Sequence, residues 1–231
     1  MLAEASPETI DTMLREARSH LQNARLADAE ALCLGILKTA PDNIDALYTL
    51  AVSQRMQRQV PAALTTLDKL IAINAGYGRA WQERGHCFRD SGRVEEAIAA
   101  YQRAVAHNGA LVASWRILSE LHDAAGREVP ANFAHAQYTH LSALPPELLS
   151  VASFIQEGRI YKAEQLCRAF LQRNGHHVEA MRLLAETGMK FNAYDEAEFL
   201  LESCKVLEPD NVSAHFDYVK VLHKRQKFEI D

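Results

Sequence analysis

An alanine returns six times in one register. Ala29, Ala63, Ala97, Ala131, Ala163 and Ala197 are spaced by 34, 34, 34, 32 and 34 residues. Twelve positions before each stands a second marker, Ala17, Ala51, Gly85, Ser119, Val151 and Ala185, small in every case but Val151. Between the two run Gly92, Gly126, Gly158 and Asn192, residue types that end helices at positive φ. Three series sharing one register require one structural cause. Only small side chains fit where antiparallel helices cross at roughly 8–10 Å, so the register predicts helical hairpins stacked at a fixed period.

The fullest copy is GRAWQERGHCFRDSGRVEEAIAAYQRAVAHNG, residues 78–109. Trp81, Gly85 and Phe88 share a face of a first helix, and Ala97, Tyr101 and Ala104 share a face of a second. The spacing resembles the tetratricopeptide repeat family, whose unit begins W-x2-L-G-x2-Y and continues A-x3-F. Arg84 stands where that pattern has Leu, and Phe88 where it has Tyr. The resemblance implies an all-α, right-handed α-α superhelix. The register gives six helical hairpins plus a terminal helix.

The period divides the chain into four repeats within 1–143, at about 10–43, 44–77, 78–111 and 112–143. Residues 144–231 hold two more, at about 144–177 and 178–211, then a terminal or truncated seventh-repeat helix, 212–227. The expected arrangement is one continuous solenoid. Ser6-Pro7-Glu8 reads as the first helix start. The fourth repeat departs from the pattern: His135 occupies the slot of Tyr101, the spacing shortens by two, and Leu144-Pro145-Pro146 follows. These mark a seam between sub-arrays. The second helix of that repeat is expected to begin at Pro130, a first-turn residue. At the end of the chain the register calls for a small residue where Asp231 stands. The terminal helix therefore reads either as a cap or as the start of a longer array.

Composition excludes several classes. Ten glycines and seven prolines in 231 residues are too few for a loop-rich β fold. A net charge of −5 offers no basic stripe for nucleic acid. No apolar run of about 18 residues exists, so no membrane span is expected. The opening MLAEASPETID lacks the apolar segment of a secretory signal. Cys33, Cys87, Cys167 and Cys204 lie far apart with no C-x-x-C pair, which fits free thiols in a reducing cytoplasm.

No catalytic, cofactor or metal site is expected. Ten histidines include no H-E-x-x-H; His176 and His177 fall in a turn, and His135 and His140 diverge around a helix. Nucleophile-elbow, P-loop and dinucleotide motifs are missing. Trp81, Trp115, Tyr101, Phe170 and the cysteines read as core by the periodic argument.

Surface remains. In the resembled family the first helices of successive repeats line a concave groove that receives a protein or peptide. Carried over by register, that groove would comprise Tyr48, Val52 and Arg55, then Arg79, Gln82, His86 and Arg89, then Arg116, Glu120 and Asp123. Further along come Ile155, Arg182, Glu186, Phe216 and Lys220. The mixture of arginines, carboxylates and apolar groups suits an extended peptide or folded partner. Capture of a chaperone C-terminal carboxylate is not supported: the clamp positions hold Leu14, Arg18, Thr49, Arg79 and Glu83. Phe216, Val219 and Leu222 of the last helix offer a face for self-association.

A narrower resemblance lies in residues 179–229, with RLLAE at 182–186, DEAEFLLE at 195–202, and a PDN turn before YVKVL. This run is similar to the repeat region preceding the catalytic domain of bacterial tetratricopeptide-repeat sulfotransferases. That family uses a P-R-S-G-T-type phosphate loop, which this chain lacks. The resemblance implies that any such enzyme lies beyond residue 231.

Overall fold

The computed structural model describes residues 7–228. They form thirteen α-helices, with no strand among the described residues. In order these are α1 (Pro7–Gln22), α2 (Leu26–Thr39), α3 (Ile44–Met56), α4 (Val60–Ile73), α5 (Gly78–Asp90) and α6 (Val94–His107). There follow α7 (Val112–Ala124), α8 (Glu128–Ser142), α9 (Pro146–Gln156), α10 (Ile160–Asn174), α11 (Val178–Lys190), α12 (Tyr194–Leu207) and α13 (Val212–Phe228). The α8 helix begins two residues before Pro130, which sits inside its first turn. Ser6 and Asp231 lie outside the described residues. The chain packs as two compact units that divide within α8, after Tyr138.

The sequence register is a packing register. All six marker alanines are buried, and so are Ala17, Ala51, Gly85 and Ala185. Val151, the misfit by size, is fully buried among Leu148, Ile155, Ala163, Cys167 and Phe170. Gly85 shows why the position is small. A Cβ built there would meet the Tyr101 ring at 2.8 Å, and Tyr101 is itself wholly buried.

The interhelix turns reuse one conformation. Gly92, Gly126, Gly158 and Asn192 have φ of 73°, 67°, 73° and 61°. Ala24 and Arg58, with φ of 57° and 62°, fill the same turn in the first two hairpins. Neither residue type announces a left-handed turn, so these two positions were not legible; each holds its conformation at about 1–3 kcal/mol of local strain.

The core is a string of small clusters, not one continuous mass. Leu47, Ala63, Leu67, Leu70 and Tyr77 form one; Phe88, Ala97, Tyr101, Ile117 and Leu118 form another. In the second unit Ala185, Ala197, Leu201 and Val221 form a third. This is the energetics of a repeat array, in which each hairpin buries little alone and depends on its neighbours. The four cysteines are free and buried within these clusters. Burial pushes the thiols up to about 12 at Cys33 and Cys167 and about 11 at Cys87 and Cys204, which keeps them protonated and inert.

The fourth hairpin differs. Ser119 replaces Gly85 in register and carries a Cβ where Gly85 has none. His135, in the Tyr101 slot, is exposed. The other five hairpins pack their two helices closely, whereas α7 and α8 are set further apart. Trp81 is in the core as expected, but Trp115, its counterpart, is only half-buried.

Candidate functional site: the first-helix faces

Three first helices, α3, α5 and α7, carry most of the expected groove residues in the first unit. Arg55 reaches from α3 to α5, where its Nε donates to Glu83 Oε2 at 2.8 Å and its Nη1 lies 3.5 Å from Asp90. Glu83 is 6% exposed. Burial raises its carboxyl pKa, and Arg55 opposes that shift. A buried carboxylate of this kind tolerates its charge only while its partner stays in place. Arg55 is therefore a strut between repeats, already paired.

His86 sits one turn away. Its Nδ1 lies 2.6 Å from Tyr101 Oη. Burial raises the Tyr101 pKa, so the phenol keeps its proton and bonds Nδ1 as a neutral hydroxyl. Burial pushes the His86 pKa down to about 4, helped by the positive charges of Arg55, Arg89 and Arg116 and opposed by Asp90. The charges that depress it form a cluster drawn from three consecutive first helices, α3, α5 and α7. Arg89 and Arg116 are its exposed members. Arg89 Nη2 lies 3.6 Å from Asp90, and Arg116 donates to Glu120 at 2.5 Å, one helical turn on.

The remaining positions flank the cluster. Gln82 Nε2 donates to Ser114 Oγ at 3.0 Å, tying α5 to α7. Tyr48 stacks edge-on to Tyr77 at 5.7 Å between centroids. Arg79 is half-buried, and Asp123 is exposed. Val52 and Ile155, expected on the groove, are buried core residues and present nothing to a partner.

In the second unit Arg182 and Glu186 line a cavity of about 320 Å³ between α11 and α13. Arg182 grips Glu179 with Nε and Nη2, at 2.9 and 2.7 Å, and donates to Asp217 through Nη1 at 2.6 Å. Like Arg55 it is internally committed. Lys220 also pairs with Asp217, at 3.0 Å. The cations at this cavity without an ion pair among the described residues are Lys190 and Lys224. Burial raises the Glu186 pKa, while Arg182, Lys190 and Lys220 pull it down. Sequence register pointed to Arg182 and Glu186 but missed Lys190, Asp217, His223 and Lys224, which lie a turn away on helix faces that register alone does not bring together.

No group of three or more metal-binding side chains occurs among the described residues. No helix among them is long and apolar enough to cross a membrane.

Stacked helical hairpins with small residues at most crossings and a turn at positive φ define an α-helical repeat protein. The tetratricopeptide repeat family matches residues 14–78, 48–113 and 83–129, and the chain belongs to that family. No functionally curated protein matches it. Among solved structures, pilF of Pseudomonas aeruginosa aligns at TM-score 0.53 and 18% identity, over 94% of this chain and 98% of that one. A tetratricopeptide repeat protein from Parabacteroides merdae aligns at TM-score 0.50 and 13% identity, over 93% and 92% of the two chains. At such identities the likeness is one of fold.

Proposed function

We propose that this chain is a non-catalytic scaffold that binds a protein or peptide partner through the first-helix face of its repeats. The observation that carries the reading is the polar bridging of three consecutive first helices, Arg55 to Glu83 and Asp90 and Gln82 to Ser114, with Arg89 and Arg116 exposed on the bridged helices. Within it the exposed Arg89 and Arg116 make the contacts, while Arg55, His86 and Gln82 hold the platform. Tyr48, Arg79 and Glu120 complete the rim. In the second unit the cavity at Arg182 and Glu186 supplies a further contact point, where Lys190 and Lys224 favour a carboxylate-bearing partner.

The double substitution Arg89→Glu with Arg116→Glu tests the reading. Cross-linking in the source cells, followed by mass spectrometry, should lose the proteins that the wild-type chain captures, with the thermal midpoint unchanged. Unchanged capture overturns it. Four buried, unpaired cysteines support a cytoplasmic setting. The face of α13 that exposes Val212, Phe216 and Val219 supports self-association; Leu222, placed on it by sequence, is half-buried. The run at 179–229 supports an alternative, a substrate-docking array of a bacterial sulfotransferase, and a parent gene that encodes no phosphate-loop domain downstream would sink it.

A further inference from the structure

The standing-off of α8 leaves a cavity that the first-helix face does not use. It encloses about 290 Å³ between α6, α7 and α8, the low end of the roughly 300–1,000 Å³ range for small-molecule sites. Its walls are mostly apolar, with Val105 from α6, Leu118 from α7 and Pro130 from α8. Trp115 and Phe133 form one side, edge-to-face at 5.7 Å and 75°. Trp115 is already satisfied, its Nε1 donating to the Gly109 carbonyl at 2.9 Å. Phe133 is 58% exposed, an unusual position for a phenylalanine that packs on a tryptophan.

Two polar side chains line this cavity, the exposed Gln102 at its rim and the buried His122. His122 is 5% exposed, and its Nδ1 is the buried side-chain nitrogen or oxygen left without a hydrogen bond among the described residues. An unmet buried polar atom costs about 1–3 kcal/mol, so its persistence needs a reason. Burial and the nearby Arg127 lower the His122 pKa, with Glu95 opposing, and the imidazole is neutral. Arg127 and Glu95 pair with each other at 2.5 Å, so the neighbourhood carries no net charge to attract an ion.

We infer that this cavity binds a neutral phenolic ring, with the ring against Trp115 and Phe133 and the hydroxyl on His122. The apolar walls and the aromatic pair select a ring. A hydroxyl both donates and accepts, so it satisfies either tautomer of a neutral imidazole, whereas a carbonyl satisfies one. The phenol has two sources, a tyrosine side chain of a partner or a free phenolic compound.

Calorimetric titration of the whole chain with p-cresol, N-acetyl-tyrosinamide and toluene tests the assignment, with long-range ¹H–¹⁵N spectra following the His122 ring. The expected result is saturable binding of p-cresol at millimolar concentrations, displacement of the His122 nitrogen signals, and toluene weaker by about tenfold, the worth of one hydrogen bond. Binding of the tyrosinamide as well assigns the site to a tyrosine side chain; binding of p-cresol alone assigns it to a free phenol. His122→Leu should bring p-cresol down to the toluene level. Ala106→Leu fills the cavity without touching His122 and should abolish both. Toluene binding as tightly as p-cresol, no binding by any probe, or unchanged binding in Ala106→Leu overturns the proposal.

Discussion

His86 was legible in the sequence as a groove position, yet its chemistry was decided by Tyr101, fifteen residues away on the next helix. The Tyr101 hydroxyl holds Nδ1, and the charges of Arg55, Arg89 and Arg116 disfavour a protonated ring. The folded pKa, about 4, lies below the ordinary 6.5. Below pH about 6.5 the unfolded chain therefore binds a proton that the folded chain refuses. The stabilisation from a neutral His86 is fully present above pH about 6.5 and is lost as the pH falls toward 4, up to about 3 kcal/mol by the linkage relation. Urea unfolding across that window should show stability falling with acidity, and His86→Gln should flatten that slope. A slope unaltered by the substitution refutes the assignment. Arg55 and Arg182 teach the same lesson from the other side. Register placed both on the binding face, but neighbouring helices supply Glu83, Asp90 and Asp217, and the guanidiniums are already occupied. Charge partners one repeat away lie 28 to 35 residues off in sequence, where no local pattern connects them.

The hairpin is the element on which most of the fold depends, and its tightest point is the contact between Gly85 and Tyr101. Three ring atoms of Tyr101 would lie 2.8 to 2.9 Å from an added Cβ. Gly85→Ala should therefore destabilise the chain by about 1–3 kcal/mol, the ordinary cost of overpacking, despite alanine's better helix propensity. Combining it with Tyr101→Leu should restore part of the loss, read as the non-additive term of a double-mutant cycle in urea; strict additivity would show that the ring is not the obstacle. The fourth hairpin is the natural counterpart of that experiment, since Ser119 already carries the Cβ and α8 has moved off. Sequence flagged the irregularity through His135, the two-residue shortening and Pro145-Pro146, and marked a seam there. The outcome, a half-open Trp115 beside an unpartnered His122, depends on how far a helix retreats, and a residue pattern does not encode that distance.

Within each of the two units the clusters of the core succeed one another along the chain, and helices other than α8 pack on their sequence neighbours. The α13 helix, last of the described helices, buries Ala214 and Val221 against α11 and α12 but leaves Val212, Phe216 and Val219 exposed. A face of this kind is what a further repeat or a second copy would cover. Static light scattering over a range of concentrations should show the average mass rising above that of one chain, with Phe216→Glu abolishing the rise; one fixed monomer mass at all concentrations removes self-association. The sequence alone determined the period, the helix pairs and the small residues between them, because close backbone packing imposes those choices locally in every repeat. Tertiary structure alone decided which charges are spent and which remain available, why Ala24 and Arg58 take glycine's turn, and where the stack opens at α8. Each of these depends on what a neighbouring repeat brings within a few ångströms.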